Sequence, residues 1–182
     1  MKKLLIMILI MFVMPYASAS PSNDTQIPIK TKVLLGFKYS NTSLWSLTTK
    51  GVADDVIGKN VIPVLDKNNC EIVTDVNVLN KIQNRGYGDP TSVEKSDMLD
   101  IYKDDGFNYL IFIDMDPIRS SNGFGYETSA HVKIIDMGNA KYIFSGKLNG
   151  MTKWGGAGTA AFNLGKEIRK ILEEKVFIPT KL

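Results

Sequence analysis

The chain is poor in the residues that build disulfides and histidine metal sites. Its 182 residues include one Cys, one His and two Trp. One Cys cannot form an internal disulfide, and one His excludes a multi-histidine metal site. Basic and acidic residues nearly balance, at 22 Lys+Arg and 19 Asp+Glu, so the composition gives no support for a nucleic-acid partner.

The rest of the composition is that of an ordinary globular domain. Apolar residues make up 44% of the chain and charged residues 23%, which excludes wholesale disorder. The length suits one α/β domain and is short for two.

The N-terminus has the layout of a secretory signal peptide over residues 1–19. Lysines at positions 2 and 3, a start typical of bacteria, precede the unbroken apolar run Leu4–Met14, which Pro15 ends. Ala17–Ala19 supplies the small residues of a cleavage site, so we expect cleavage between Ala19 and Ser20. The run is shorter than the roughly 20 apolar residues of a membrane-spanning helix. An uncleaved anchor or a buried helix is the alternative interpretation.

Cleavage there leaves 163 residues, with 20 Lys+Arg against 19 Asp+Glu and a net charge of +1. No second long apolar run follows, so we expect a soluble exported chain, periplasmic or secreted. Residues 20–31 are mostly polar and predict a flexible leader before a single domain over 32–178. The lone Cys70 is expected to be a small apolar residue of a strand, with a reactive thiol as the alternative.

Apolar spacing predicts the elements of the first half of the domain. Residues 32–37 and 70–73 are compact apolar runs that indicate strands. Positions 53–65 carry apolar residues at three- and four-residue spacing, which favours a helix kinked at Pro63 over a hairpin of 61–65 against 70–73. Asp75 is placed to cap a helix that runs to Arg85, and Thr91–Glu94 has the capping-box spacing that predicts a helix over 92–104.

The second half predicts a meander followed by a helix. The dense apolar run at 107–114 indicates a strand, and a turn over 120–125 leads to an alternating strand at 127–136. A tight turn at Gly138–Asn139 predicts that residues 141–149 form a strand paired with 127–136 in a hairpin. An apolar stripe over 161–176 predicts the last helix. The fold class is therefore α/β (α+β), a mixed sheet with an antiparallel C-terminal meander packed by helices.

Two carboxylates are the best candidates for chemistry. Asp114 and Asp116 lie two residues apart at the end of a strand, so both point to one face and can offer oxygen ligands to Mg²⁺ or Ca²⁺. That arrangement would suit a metal-dependent hydrolase that uses these two acids. Separately, His131 in the strand 127–136 could be a general base, although its expected role is that of a half-exposed strand residue. Neither a Gly-x-Ser-x-Gly elbow nor a downstream acidic pair accompanies them. We therefore expect no catalytic residue, metal or cofactor, with both acids marking a strand that leaves the core.

Two further features concern binding. Backbone N–H groups of Gly155–Gly158, just before the last helix, can cradle an anion or small molecule, but the Walker and G-x-G-x-x-G spacings are both missing. The expected role of these small residues is to let the start of the helix pack closely or to let the loop flex. Trp45, Phe124, Tyr126 and Trp154 are candidate exposed aromatics, a residue type that anchors protein interfaces.

Four stretches carry a resemblance to a known group: NNCEIVTDVNVLNKIQNRG, IYKDDGFNYLIFIDM, HVKIIDMGNAKYIFSGKLNG and GGAGTAAFNLGKEIRKIL. Together they resemble the extracytoplasmic α/β domains of the curli-secretion-channel (CsgG-like) and TolB N-terminal-like group, and of the penicillin-binding-protein activator lipoproteins. The resemblance implies a non-enzymatic envelope protein that works through an envelope protein partner. The chain lacks a lipobox Cys and the alternating segments of membrane-crossing hairpins, so neither a lipid anchor nor a pore is implied.

Overall fold

Six strands form one mixed sheet in the computed structural model, which describes residues 30–39, 51–88, 90–121 and 125–178. The sheet begins with a parallel half and ends with an antiparallel half. Its strands are β1 (Thr31–Tyr39), β2 (Cys70–Val73), β3 (Tyr109–Met115), β4 (Arg119–Ser121), β5 (Gly125–Asp136) and β6 (Lys141–Thr152).

The parallel half is built on β1, which lies between β2 and β3. Its residues Val33, Leu34 and Leu35 are all fully buried, because helices cover both faces of the sheet at this strand. The continuous apolar run at 32–37 is typical of such a strand, and the predicted strand is confirmed.

The antiparallel half is built on β5, which pairs with β3 along one edge and with β6 along the other. The short strand β4 pairs with the first residues of β5 on the β3 side. Pro117 separates β3 from β4, because proline has no backbone N–H to donate to a neighbouring strand. The predicted turn over 120–125 is wrong for residues 120 and 121, which belong to β4, and for residue 125, which begins β5.

Helices cover the sheet on both sides. A π-helical segment (Asp54–Val61) runs directly into α1 (Ile62–Lys67), and two short helices follow β2. The remaining helical elements are α2 (Val76–Leu79), α3 (Lys81–Asn84), a 3-10 turn (Pro90–Ser92), α4 (Lys95–Tyr102), α5 (Ala157–Ile171) and a π-helical end (Leu172–Val176). No helix in the described ranges has the length and apolarity needed to cross a membrane.

Two apolar cores define three layers. On the first face of the sheet, the π-helical segment, α1 and α5 pack against alternate residues of the strands, among them Ile111, Ile113 and Val132. On the second face, α2, α3 and α4 pack against the intervening residues, among them Leu110 and Phe112. This α/β arrangement confirms the predicted fold class, a mixed sheet with an antiparallel C-terminal meander.

Small residues let α5 approach the rest of the first layer. A methyl group on Gly150 of β6 would overlap the carbonyl oxygen of Ala160 and lie 2.6 Å from Cβ of Leu164. A methyl group on Gly165 would lie 2.9 Å from the carbonyl oxygen of Val56. The glycines at these contacts therefore set how close α5 lies to β6 and to the π-helical segment.

The helix predicted over 53–65 is confirmed, and the alternative hairpin of 61–65 is wrong. Pro63 lies in the first turn of α1, where a missing N–H is best tolerated. A π turn precedes it, with the N–H of Ile62 bonded to the carbonyl of Ile57. A π turn is a recognised way to relieve a kink in a helix, so the chain remains helical through the proline.

Two other helix predictions need correction. Asp75 does cap α2 by accepting a hydrogen bond from the N–H of Asn77 at 2.7 Å, but Asn80 separates α2 from α3. The capping box at Thr91–Glu94 is wrong: Glu94 has an extended backbone and α4 begins after it. Val93 is fully buried in the second core, and its burial holds this segment out of the helix.

Several predictions concern residues outside the described ranges. They are the signal peptide over 1–19, its cleavage between Ala19 and Ser20, nearly all of the leader over 20–31, and the aromatic residues Trp45 and Phe124.

Candidate functional site

The second face of the sheet changes from apolar to polar along β3. Leu110 and Phe112 are fully buried beneath α4, whereas Asp114 on the same face is only partly buried. The helical layer of this face thus covers one end of the sheet and leaves the other end to polar side chains. This polar end is the candidate site because it holds both predicted carboxylates.

Register places four side chains in one row across the sheet. Lys38 of β1 is opposite Asp114 of β3, Asp114 is opposite His131 of β5, and His131 is opposite Lys147 of β6. Directly opposed residues point to the same face, so the row lies side by side. The Nζ atom of Lys38 is 3.9 Å from a carboxylate oxygen of Asp114. Asp114 and His131 are therefore neighbours on adjacent strands.

Asp116 lies one step further along this face and is held by several groups. The Ser129 hydroxyl donates to its carboxylate, and the Nζ atom of Lys147 lies 3.2 Å from the same oxygen. The hydrogen bond from Ser129, with the nearby positive charge of Lys147, holds the pKa of Asp116 below its usual value. The Thr128 hydroxyl donates to the Asp116 carbonyl oxygen at 2.9 Å. Asp116 is thus an ionised, positioned acceptor.

A groove of about 640 Å³ opens beside Asp116, between β4 and the ends of β5 and β6. We call it the polar groove. Its wall includes basic, acidic and neutral side chains, but neither Asp114 nor His131. The lining residues are Asp116, Pro117, Arg119, Glu127, Thr128, Ser129, Lys147, Asn149, Gly150 and Met151.

The charges around the predicted acids do not resemble a divalent-metal site. Asp114 and Asp116 each have a lysine beside them, and a metal ion would have to compete with that ammonium group. Within the described ranges, no three His, Cys, Asp or Glu side chains are grouped to hold a metal. The structure therefore brings the two acids and His131 to one face, where each acid forms an ion pair with a lysine.

Large apolar side chains are exposed at the same end of the molecule. Within the described residues, four such side chains are exposed, and three lie here: Tyr126 (39% exposed), Met151 (61%) and Trp154 (89%). Tyr126 and Met151 are in adjacent cross-strand pairs at the end of β5 and β6, and Trp154 follows β6 by two residues. We call these three residues the apolar end.

The glycine loop has a structural explanation. A methyl group on Gly158 would lie 2.8 Å from a carboxylate oxygen of Asp55, and one on Gly155 would lie 2.7 Å from Thr159. Gly155 and Gly158 therefore sit close to their neighbours, whereas Gly156 has no atom within 4 Å of an added methyl group and lines an open pocket with Asp55 and Lys59. Asp55 places a negative charge beside the loop, an arrangement that disfavours an anion, and its own partner is Lys59 at 2.7 Å.

Cys70 lies at the start of β2 and packs against the first core. Burial, with a smaller contribution from Asp66, raises the pKa of its thiol. A raised pKa lowers the fraction of reactive thiolate at neutral pH. This environment supports the apolar strand role over a reactive thiol.

Sequence reasoning missed most of the polar groove. Ser129 and Lys147 reach Asp116 only through the register of β3, β5 and β6, and Arg119 and Glu127 face each other because β4 pairs with β5. The alternation of polar residues in 127–136 and 141–149 was the available signal. It identifies which residues share a face, but not which acid they meet.

The fold defines a three-layer α/β domain with a mixed sheet. No protein-family model matches the chain, and no curated protein matches it. Solved structures do match. Lipoprotein GNA1162 from Neisseria meningitidis is 13% identical with a TM-score of 0.44, covering 78% of this chain and 97% of that one. The LpoB C-terminal domain from Salmonella enterica is 16% identical with a TM-score of 0.38, covering 68% and 82%.

TolB from Acinetobacter baumannii is 10% identical with a TM-score of 0.41, covering 79% of this chain and 27% of that one. A lipoprotein and TolB are thus among the similar structures, as the sequence resemblance implied. TM-scores below 0.5 transfer no partner, site or activity to this chain. The resemblance to the curli-secretion-channel group stays a prediction.

Proposed function

We propose that this chain is an exported protein of the bacterial envelope that acts by binding another envelope protein and not by catalysis. The observation that carries the proposal is the apolar end. Met151 lines the polar groove, Tyr126 points to the opposite face of the same strand pair, and Trp154 follows β6 by two residues. All three are exposed at one end of the sheet, while most other large apolar side chains of the described residues are buried. Exposed aromatic and methionine side chains beside a polar rim are the composition of a protein-binding surface.

The ion pairs on the polar end of the second face support binding over hydrolysis. Asp116 already accepts a hydrogen bond from Ser129 and pairs with Lys147, and Asp114 pairs with Lys38. A metal-dependent hydrolase needs carboxylates that are free to coordinate the ion. Here the same side chains instead fix the shape and the charge pattern of the surface around the apolar end.

Export is supported by the sequence. The basic start, the apolar run Leu4–Met14 and the small residues Ala17–Ala19 are in the order that the secretion machinery recognises. We propose that the mature chain begins at Ser20 and works in the periplasm or outside the cell.

Site-specific photocrosslinking in the source cells tests the proposal. A benzoylphenylalanine placed at Trp154 or at Met151 is expected to give one defined adduct with an envelope protein. The matched control is the same side chain at Lys67, which is exposed beside the far edge strand β2. Fractionation of the same cells should recover the chain outside the cytoplasm, with Ser20 as its first residue. Absence of an adduct at both positions, or equal labelling at Lys67, would refute the proposed binding role.

Calorimetry separates this proposal from the hydrolase hypothesis. The purified chain is titrated with Mg²⁺, Ca²⁺ or Mn²⁺, and so is the Asp116→Asn variant. We expect no binding heat that the parent chain shows and the variant lacks. Heat of that kind would assign a metal to the polar groove and would contradict the proposal.

A further inference from the structure

The inference concerns the outer edge of the sheet at β6. This strand is twelve residues long and, within the described ranges, it pairs only with β5. A long strand with one free edge presents a row of N–H and C=O groups that a further strand can pair with. Natural proteins usually shorten, cover or charge such an edge.

The hydrogen-bond pattern identifies which residues face outward. The N–H of Asp116 donates to the carbonyl of Ser129 at 2.8 Å, so the backbone groups of Ser129 point towards β3. Successive residues of a strand alternate in direction, and opposed residues in an antiparallel pair share one pattern. Asn149, opposite Ser129, therefore directs its N–H and C=O away from β5, and Ser145 and Lys147 do the same.

Side chains on the outward-facing residues are accessible as well. Ser145, Lys147, Asn149 and Met151 are all exposed. Backbone groups and side chains are thus presented together from Ser145 to Asn149, whereas the Met151 carbonyl already accepts a hydrogen bond from the Asn163 side chain at 2.8 Å. Met151 belongs to the apolar end, so the free edge is continuous with the surface proposed above to bind a partner.

The charge of this edge favours an acidic partner. Between Asp136 and Glu167 the chain contains four lysines, at positions 141, 147, 153 and 166, and no acidic residue. Lys141 and Lys147 are exposed on β6 itself, and Lys153 is exposed just beyond it. Lys147 also pairs with Asp116. Within the described ranges, the free edge of β6 carries lysines and no acidic side chain, so electrostatic complementarity would select and orient an incoming acidic strand.

We propose that β6 is a docking edge onto which an extended, acidic segment of the partner protein adds as a further strand of the sheet. This inference rests on the proposed function, because it names the surface and the chemistry of the partner. Main-chain hydrogen bonds to Ser145, Lys147 and Asn149 would supply affinity, and the lysines would supply the preference for acidic side chains.

Amide exchange with a defined probe tests the edge directly. The probe is a capped ten-residue peptide that alternates Val and Glu, and its control alternates Val and Lys. In the free chain, the amides of Ser145, Lys147 and Asn149 should exchange rapidly, while those of Gly146 and Leu148 are protected by β5. The Glu peptide should slow the three outward amides at least about tenfold and should bind at least about tenfold tighter than the Lys peptide.

Two results would overturn the inference. One is slow exchange of the three outward amides in the free chain, because another segment or a second copy would then already cover the edge. The other is no added protection with the Glu peptide, which would mean that the lysines only protect the edge from aggregation. Equal binding of the Lys peptide would remove the acidic preference.

A backbone variant distinguishes this inference from the proposed function. Ser145→Pro removes one outward N–H and keeps the pairing with β5, since proline is tolerated on an edge strand where its nitrogen faces solvent. Ser145→Ala is the matched control, and unchanged circular dichroism would show that both variants fold. Ser145 lies outside the lining of the polar groove and outside the apolar end.

The same photocrosslinker at Trp154 then reads the outcome in cells. Loss of the adduct in Ser145→Pro but not in Ser145→Ala supports strand addition. An adduct that persists in folded Ser145→Pro refutes strand addition while the binding role stands. Absence of an adduct in the unmutated background refutes the proposed function itself.

Discussion

Replacing Gly150 by alanine tests whether α5 packs on β6 as closely as the structure shows. The added methyl group would overlap the carbonyl oxygen of Ala160 and lie 2.6 Å from Cβ of Leu164. These neighbours belong to the helix itself, so they cannot move aside as the end of a flexible side chain can. Gly146→Ala is the matched control, because it lies on the same strand and its methyl group would come no closer than 3.4 Å to the ring of Phe144.

The expected cost follows from these distances. The methyl group and Leu164 must separate by about 0.8 Å to reach the 3.4 Å at which such contacts become ordinary. Interiors are close-packed, so α5 must shift as a body, and overpacking of this kind costs about 1–3 kcal/mol. Alanine recovers about 0.5–1 kcal/mol by restricting the unfolded chain. We expect Gly150→Ala to lose about 1–2 kcal/mol and Gly146→Ala to be neutral or slightly stabilising.

Thermal and urea unfolding of the mature chain measure both variants. For a domain of this size, the loss lowers the Tm of Gly150→Ala by about 2–8 °C, with an unchanged dependence on urea concentration. If Gly150→Ala is as stable as Gly146→Ala, the close approach of α5 to β6 is not real. The explanation of Gly150 as a residue that permits this close packing would then fail with it.

Three further predictions concern named polar contacts. Tyr102→Phe removes a buried hydroxyl that donates to two backbone carbonyls of α2, and urea unfolding should show a loss of about 1 kcal/mol. Asn60→Ala removes the amide that donates to the Asp55 carbonyl at 2.7 Å, and the same assay should show a loss of about 1–3 kcal/mol. Unfolding measured against pH tests Asp116→Asn. The pKa of Asp116 is lower in the folded chain than its unfolded value of about 3.8. The ionised carboxylate therefore stabilises the folded chain fully above the unfolded pKa, and this stabilisation is lost as the pH falls through the folded pKa. The side chain is 44% exposed, so the loss at neutral pH should stay below about 1 kcal/mol and should vanish at lower pH. Stability of Tyr102→Phe or Asn60→Ala equal to the parent would contradict those contacts, and a loss in Asp116→Asn that persists at low pH would contradict the electrostatic cause.

The packing of α5 also bears on the candidate site. Gly150 lies both under α5 and in the wall of the polar groove, so a shift of the helix would alter the groove as well as the stability. Binding of the Glu peptide by Gly150→Ala and Gly146→Ala would show whether the two surfaces are coupled. Most surface substitutions offer no such link between packing and binding.

Local pattern was sufficient for the strongest elements. The run at 32–37 predicted β1 because a strand buried on both faces needs apolar residues at every position. The stripe over 161–176 predicted α5 because a helix that covers a sheet needs one apolar face. The helix through Pro63 was also predictable, since its apolar spacing continues on both sides of the proline.

Where local signals and burial disagreed, burial decided. The capping box at Thr91–Glu94 was a valid local signal, but Val93 enters the second core and the helix starts after Glu94. The short strand β4 had too few residues to show any period. It forms because β5 extends past the end of β3 and offers it a free edge.

The sequence by itself determined the apolar layers and the order of the main strands and helices, because both are encoded in residues that are adjacent or a few positions apart. Only the tertiary structure decided the surface. Register placed Ser129 and Lys147 on Asp116, paired Asp114 with Lys38, and left the lysine-bearing edge of β6 free. Contacts between residues far apart in the chain depend on how strands align, and a one-residue slip in alignment would turn every one of these side chains to the opposite face.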